Sequence, residues 1–120
     1  GREVEWSGSS GGCNFKIWNF NITWTWNISI TWVWFKPKMV RFIAWDNGAM
    51  STVTYVSIWA MIDWSNQYSM NCQTSANDNT RCIHMWSKCW AKYVSMDADG
   101  FTINCDYWTW IAYTSYECIW

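Results

Sequence analysis

The sequence predicts an all-β fold: an antiparallel β-sandwich or jelly-roll-like module of about eight or nine short strands. Short stretches in which apolar and polar residues alternate recur along the chain, and turn-forming residues separate them. That pattern is typical of sandwiches and barrels. No stretch forms a convincing helical pattern, and 120 residues suit a single domain that can bury a core.

The strongest strand signal lies at residues 39–45, where apolar side chains surround one charge, Arg41. Such a run predicts a largely buried strand. Pro37 belongs at the entry to this strand, because proline cannot donate a hydrogen bond to a ladder. Lys36 and Lys38 form a small basic cluster with Arg41. We interpret the cluster as a solvated strand start, because these few charges fall far short of a nucleic-acid footprint.

The other predicted elements follow the chain in order. Residues 1–12 have linker composition and are expected to form a flexible lead-in, and residues 13–120 are expected to form a single β-sandwich domain. Residues 27–33 alternate more cleanly than residues 14–21, as expected of a half-buried strand. The predicted strands around the central one are 14–21, 27–33, 51–60, 68–72, 81–86, 90–96, 100–105 and 109–118.

Turn-forming residues predict how the strands are joined. Asp46-Asn-Gly48 favours a hairpin, a turn is expected near Ser87 and Lys88, and Asp97-Ala-Asp-Gly100 predicts a tight turn. Residues 63–80 are the polar part of the chain, and loops on a rigid scaffold often carry recognition. The candidate ligand-binding residues in this part are Asn66, Tyr68, Asn77, Asp78 and Asn79.

The charge and the motifs exclude several classes of function. The net charge of -1 does not indicate a nucleic-acid partner or an anionic membrane, and no apolar run approaches the length of a membrane span. We therefore expect neither nucleic-acid binding nor membrane insertion. No glycine-rich phosphate loop and no Ser-His-Asp arrangement can be assembled from the sequence, so we predict a non-catalytic protein without a cofactor.

The cysteines leave the question of disulfides open. An even number of cysteines in a small chain indicates a disulfide framework only in an oxidising compartment. Cys72 and Cys82 flank the polar part and could close it as a hairpin. Cys82, His84 and Cys89 suggest zinc, but no Cys-x-x-Cys pair is present, so we predict no metal site. The six cysteines are Cys13, Cys72, Cys82, Cys89, Cys105 and Cys118.

Asp97-x-Asp99-Gly100 is similar to the start of a calcium loop. The remaining ligand positions of such a loop are missing, including the late glutamate that binds calcium through both oxygens. A tight turn therefore explains this segment better than a calcium site does.

Tryptophan is abundant where glycine is expected. The chain has 14 Trp and 6 Gly, although Gly is normally among the commonest residues. One hypothesis is that some of these residues are encoded by UGA codons that the source organism reads as glycine. The alternatives are an unusually aromatic core or platforms on which sugars stack, and Trp at a positive φ would be strained. The Trp residues expected between strands are Trp24, Trp26, Trp32, Trp34, Trp108 and Trp110.

Three segments, Phe35-Lys-Pro-Lys-Met-Val, Asp99-Gly-Phe-Thr-Ile103 and Ile111-Ala-Tyr113, resemble a recurrent module of phage and prophage tail proteins. The arrangement is also similar to the H-type lectin sandwich. The resemblance covers roughly residues 15–116, and it departs at Trp34, where the pattern prefers glycine.

This resemblance implies a virion location on a phage tail appendage, with virion attachment or surface recognition as the function. The implied partners are other virion proteins or cell-surface glycans, and the implied assembly is a homo-oligomer such as a trimer. The resemblance carries no catalytic residues. The alternative is a secreted, extracellular lectin-like domain that binds carbohydrate and whose cysteines form disulfides.

Overall fold

The computed structural model describes residues 9–10, 13–48, 55–72 and 76–120. These ranges contain eleven strands and no helix, so the predicted all-β fold is confirmed. None of them holds a helix that could cross a lipid bilayer. The strands are β1 (Ser9–Ser10), β2 (Cys13–Ile22), β3 (Asn27–Ile30), β4 (Met39–Trp45), β5 (Val56–Asp63), β6 (Asn66–Asn71), β7 (Ala76–Asp78), β8 (Ile83–Met85), β9 (Cys89–Asp97), β10 (Gly100–Trp108) and β11 (Ala112–Ile119).

The strands form two antiparallel sheets that face each other as a β-sandwich. The larger sheet has the order β1-β2-β11-β4-β5-β6-β7, and the smaller sheet has the order β3-β10-β9-β8. The chain moves from the larger sheet to the smaller one after β2 and returns at β4. The last strand, β11, inserts between β2 and β4, so both ends of the described chain lie in the larger sheet.

The strand β4 has the predicted bounds but is buried on one face only. Val40, Phe42 and Ala44 point into the core, whereas Arg41 and Ile43 are exposed on the outer face. The prediction of a largely buried strand was therefore too strong, because the smaller sheet covers the larger one from one side only. The alternation fits a strand in an antiparallel sheet with one solvated face.

Phe101 of β10 lies at the centre of the core and is fully buried. Its ring contacts Phe42 of β4 at 5.6 Å and Tyr116 of β11 at 5.2 Å between centroids, both edge-on. Such aromatic pairs add about 0.5–1.5 kcal/mol beyond the burial of their area. These contacts join the two sheets. The buried apolar residues are Ile22, Val33, Phe35, Val40, Phe42, Ala44, Met61, Cys82, Ile83, Met85, Cys89, Ala91, Phe101, Ile103, Cys105, Ala112, Tyr116 and Cys118.

The two predicted turns that join β8 to β9 and β9 to β10 are confirmed. The β8–β9 connection includes Ser87 and Lys88, and β9 joins β10 through Ala98 and Asp99. Gly100 is required at the second turn because a Cβ there would lie 1.7 Å from the carbonyl oxygen of Ile30. The Asp46-Asn-Gly48 turn precedes residues 49–54, which lie outside the described residues.

Several strand bounds differ from the prediction. The strand expected at 27–33 ends at Ile30, because the backbone turns to positive φ at Trp32. The last strand begins at Ala112 rather than 109, because the amide and hydroxyl of Thr109 bind carbonyl oxygens of the β8–β9 turn.

The two edge strands β1 and β7 were not predicted. β1 pairs with residues 13–14, so residues 9–10 form a strand instead of part of the flexible lead-in expected at 1–12. The other residues of the expected lead-in lie outside the described ranges. Both segments are too short for an alternating pattern to be visible in the sequence.

The Asp99 carboxylate connects two segments that are far apart in the sequence. Its oxygens accept hydrogen bonds from the backbone N–H groups of Trp32 at 3.0 Å and Trp34 at 2.6 Å. The N–H of Val33 binds the Asp99 carbonyl oxygen at 3.2 Å. Backbone N–H groups that converge in this way form an anion-binding concavity. We call this arrangement, formed by residues 32–34 and Asp99, the Asp99 latch.

Candidate recognition surface

The candidate binding residues lie along the β5–β6–β7 edge of the larger sheet. Asn66 and Tyr68 are on β6, Asn77 and Asp78 are on β7, and Asn79 follows β7. The part expected to be a polar loop with one short strand therefore contains two short strands, and residues 73–75 between them lie outside the described residues.

The turn between β5 and β6 is held by Asp63. Its Oδ1 accepts hydrogen bonds from the backbone N–H groups of Ser65 and Asn66, both at 2.9 Å, and from the Asn66 amide at 3.0 Å. The Asn66 and Ser65 hydrogen bonds lower the pKa of Asp63. The Asn66 side chain is therefore engaged in the turn, and the exposed Trp64 lies at its tip.

Tyr68 and Asn77 share the outer face of the sheet. Tyr68 and Met70 are alternate residues of β6 and therefore point to the same side. Asn77 pairs with Met70, which places the exposed Asn77 on that side as well. The ring of Tyr68 contacts Trp59 edge-on at 6.2 Å between centroids. These two predicted residues are thus brought together at one surface.

Asp78 points to the other side and is fully engaged by hydrogen bonds. Its carboxylate accepts from the Thr80 hydroxyl at 2.6 Å and backbone N–H at 2.8 Å, and contacts His84 Nδ1 at 2.9 Å and the Arg81 guanidinium at 3.4 Å. Burial raises the pKa of Asp78, but the hydrogen bonds from Thr80 and His84 outweigh burial and lower it. Asp78 therefore stabilises the corner between β7 and β8 rather than facing the Tyr68 surface.

A charged and aromatic cluster adjoins this corner. Arg81 binds both carboxylate oxygens of Asp106, at 2.9 and 3.3 Å, and its guanidinium lies 4.9 Å from the ring centroid of Trp90. Trp90 stacks on Tyr107 at 4.3 Å, and Lys92 lies 3.9 Å from Asp106. The Asp106 hydrogen bond raises the pKa of Arg81. Sequence reasoning missed this cluster because its members come from β9, β10 and the residues before β8.

The buried Gln67 ties the candidate edge to the smaller sheet. Its amide nitrogen binds the Trp64 carbonyl oxygen at 3.1 Å, and its amide oxygen accepts from the N–H of Tyr93 on β9 at 2.9 Å. A buried amide that satisfies both of its ends in this way holds the two sheets in register. The sequence predicts a strand at 68–72 within the polar part, but β6 begins at Asn66, so Gln67 lies inside the strand and is buried.

Four of the five cysteines whose side chains are described are buried within the sandwich. Cys82, Cys89, Cys105 and Cys118 are buried, Cys72 is exposed, and all five are free thiols. Burial raises the pKa of Cys82 and raises that of Cys118 to about 12. A buried thiol with a raised pKa is a poor nucleophile and metal ligand. Across the described ranges, no group of three or more His, Cys, Asp and Glu side chains could hold a metal ion.

The carboxylates of the calcium-like segment are used within the fold. Asp97 accepts hydrogen bonds from the hydroxyls of Ser95 and Thr102, both at 2.7 Å. Asp99 is occupied by the Asp99 latch. The predicted turn is therefore present: Asp97 joins the two strands on either side of it, and Asp99 binds residues 32 and 34.

We found no family model, no curated protein and no solved structure that matches the chain.

Proposed function

We propose that this chain is a non-catalytic β-sandwich module of a phage or prophage tail appendage that recognises cell-surface glycans. The observation that carries the proposal is the Asp99 latch. The N–H groups of residues 32–34 lie directly before the resembling segment that begins at Phe35. They donate to the carboxylate and carbonyl oxygens of Asp99, the first residue of the second resembling segment. A physical reason therefore exists for the two motifs to occur together, which supports the resemblance.

The recognition surface in this proposal is the outer face at Tyr68 and Asn77, with the exposed Asn79 directly after β7. An amide side chain can donate to and accept from sugar hydroxyls, and the Tyr68 ring offers an apolar face with a polar tip. Asn66 and Asp78 act indirectly, because their side chains hold the turns on either side of this surface. The edge is rigid because Gln67 anchors it to the smaller sheet.

A glycan array probed with the assembled protein tests this proposal. Asn77→Ala and Tyr68→Ala should each abolish the binding of a glycan that the unchanged protein binds. Asn21→Ala is the matched control, because Asn21 is an exposed asparagine at the end of β2 and should leave binding unchanged. Equal binding by all variants would overturn the assigned surface. No binding to any glycan would favour a structural building block of the virion.

We further propose that the module is a homo-oligomer, such as a trimer, that forms through the outer face of the larger sheet. This face carries Ile17 and Ile43, which are 49% and 51% exposed, around a groove of about 640 Å³. Exposed apolar patches of this kind are typical of protein contacts. The Arg41–Glu117 ion pair at 3.3 Å lies within the same groove and offers both charges to a second copy.

Light scattering of the purified protein tests the assembly. Ile43→Lys should convert the oligomer to monomers, because a lysine cannot be buried in a contact without a partner. Val94→Lys is the matched control, because Val94 is 42% exposed on the smaller sheet. A monomer before substitution, or an oligomer that both variants leave intact, would refute the proposed interface.

A further inference from the structure

We propose that Trp32, Trp34 and Trp59 stand at glycine positions, and that their UGA codons are read as glycine in the source organism. This inference concerns the chemical identity of the native chain and does not depend on the proposed function. Its first observation is the backbone: φ is 66° at Trp32, 73° at Trp34 and 132° at Trp59. Among the described non-glycine residues, the remaining positive φ is at Ser87, in a turn.

A positive φ suits glycine and strains a residue with a large side chain. The Cβ of an L-residue collides with its own backbone in this region, and for bulky residues such values are genuine outliers. At Trp32 and Trp34 the positive φ directs the backbone N–H groups toward the two carboxylate oxygens of Asp99. The Asp99 latch needs the backbone of these residues and makes no use of their indole rings.

The strand register gives a second, independent reason at residue 59. Trp59 pairs with Phe42 on one side and with Ser69 on the other, and both neighbours are buried on the inner face. Residues directly opposite each other in an antiparallel ladder share a face, so residue 59 should point inward. The indole is instead 55% exposed and contacts Tyr68 on the outer face. Glycine at this position removes the conflict, because the position then holds no side chain.

The exposure of the tryptophans agrees with this explanation. Tryptophan normally buries most of its large apolar surface, yet none of the described tryptophans is in the buried core. Several lie in turns and bends between strands, where glycine is the usual residue. The tryptophans that are 48% or more exposed are Trp18, Trp24, Trp26, Trp32, Trp34, Trp59, Trp64, Trp86, Trp110 and Trp120.

Glycine at these positions would change the surface of the molecule. Without the Trp59 indole, the Tyr68 ring loses its edge-on neighbour and one wall of the outer groove is removed. Without the Trp34 indole, the Lys16 ammonium loses the ring whose centroid lies 4.4 Å away. The backbone hydrogen bonds of the Asp99 latch would be unchanged, because glycine retains its N–H group.

The gene and the native protein test the proposal directly. The codons for residues 32, 34 and 59 should be UGA, and peptides from protein isolated from the source organism should be lighter by the mass difference between tryptophan and glycine. UGG codons at these positions, or peptides with the mass of tryptophan, would overturn the proposal. Neither measurement requires a variant to fold.

A paired substitution tests the backbone argument on its own. At residue 34 the glycine variant W34G should be more stable than W34A, with an equilibrium constant for unfolding about tenfold smaller, because alanine is strained at positive φ. Trp18 is the matched control, because it is an exposed tryptophan within β2 and has no positive φ. There the order should reverse, with W18A about threefold more stable than W18G. The same order at both positions would refute the glycine assignment.

Discussion

Removal of the Asp99 carboxylate should destabilise the sandwich, because it removes two of the three hydrogen bonds that connect residues 32–34 to Asp99. Asp99→Ala deletes two hydrogen bonds from backbone N–H groups, at 3.0 Å to Trp32 and 2.6 Å to Trp34. A hydrogen bond to a charged group contributes about 1.5–3 kcal/mol. Since both bonds are exposed, the lower value applies, and the expected loss in the free energy of unfolding is about 3 kcal/mol. Domains of this size have about 5–15 kcal/mol in total.

Urea unfolding followed by tryptophan fluorescence measures this loss. Asp99→Asn should lose about half as much, because one amide oxygen still accepts while the NH₂ group faces the second N–H. Glu117→Ala is the matched control, because it removes a carboxylate from a surface ion pair with Arg41, and it should cost at most about 1 kcal/mol. If Asp99→Ala lost no more free energy of unfolding than Glu117→Ala, the Asp99 latch would not stabilise the fold.

Three further predictions concern the core, the β7–β8 corner and the thiols. Phe101→Ala should lower the free energy of unfolding by about 3–5 kcal/mol in urea, because it empties the centre of the core. Hydrogen bonds outweigh burial and lower the pKa of Asp78 below 3.8. The stability that the ionised Asp78 carboxylate gives the fold is therefore complete above pH 3.8 and is lost as the pH falls through the folded-state pKa. The urea midpoint of the unchanged protein should therefore fall toward that of Asp78→Asn as the solution is acidified from about pH 5 to pH 2. Peptide mapping after thiol labelling of the folded protein should find Cys72 modified and Cys82 and Cys118 modified only after unfolding.

Each of these three predictions has a clear contrary result. A loss below about 1 kcal/mol for Phe101→Ala would mean that the ring is not packed between the sheets. A constant difference between the protein and Asp78→Asn across the acid range would mean that the folded carboxyl titrates normally. Fast labelling of Cys82 in the native protein would mean that this residue, directly before β8, is not buried.

The elements with a strong local pattern could be predicted from the sequence. The bounds of Met39–Trp45 were predicted to the residue, and the turn before Gly100 was predicted from its Asp-Ala-Asp-Gly composition. In both places the local pattern and the tertiary structure favour the same conformation. The burial of the central strand was overestimated, because the sequence alone does not say which faces of a sheet are covered.

Other features depend on contacts that are remote in the sequence. The end of β3 at Ile30 is set by the Asp99 carboxylate, and the start of β11 is set by the carbonyl groups that bind Thr109. Composition could locate the polar residues of the candidate surface but not their directions. Asp78 faces away from Tyr68 because of the β6–β7 register, and a shift of one residue would reverse that direction.

The hydrogen bonds between residues 32–34 and Asp99 can be observed directly by NMR through scalar couplings across hydrogen bonds. The experiment correlates the backbone nitrogens of residues 32 and 34 with the side-chain carboxyl carbon of Asp99 in labelled protein. The structure predicts a cross-peak from both nitrogens to that carbon at neutral pH. Well-resolved amide signals for both residues without either cross-peak would contradict the connection between the two motifs on which the proposed function depends.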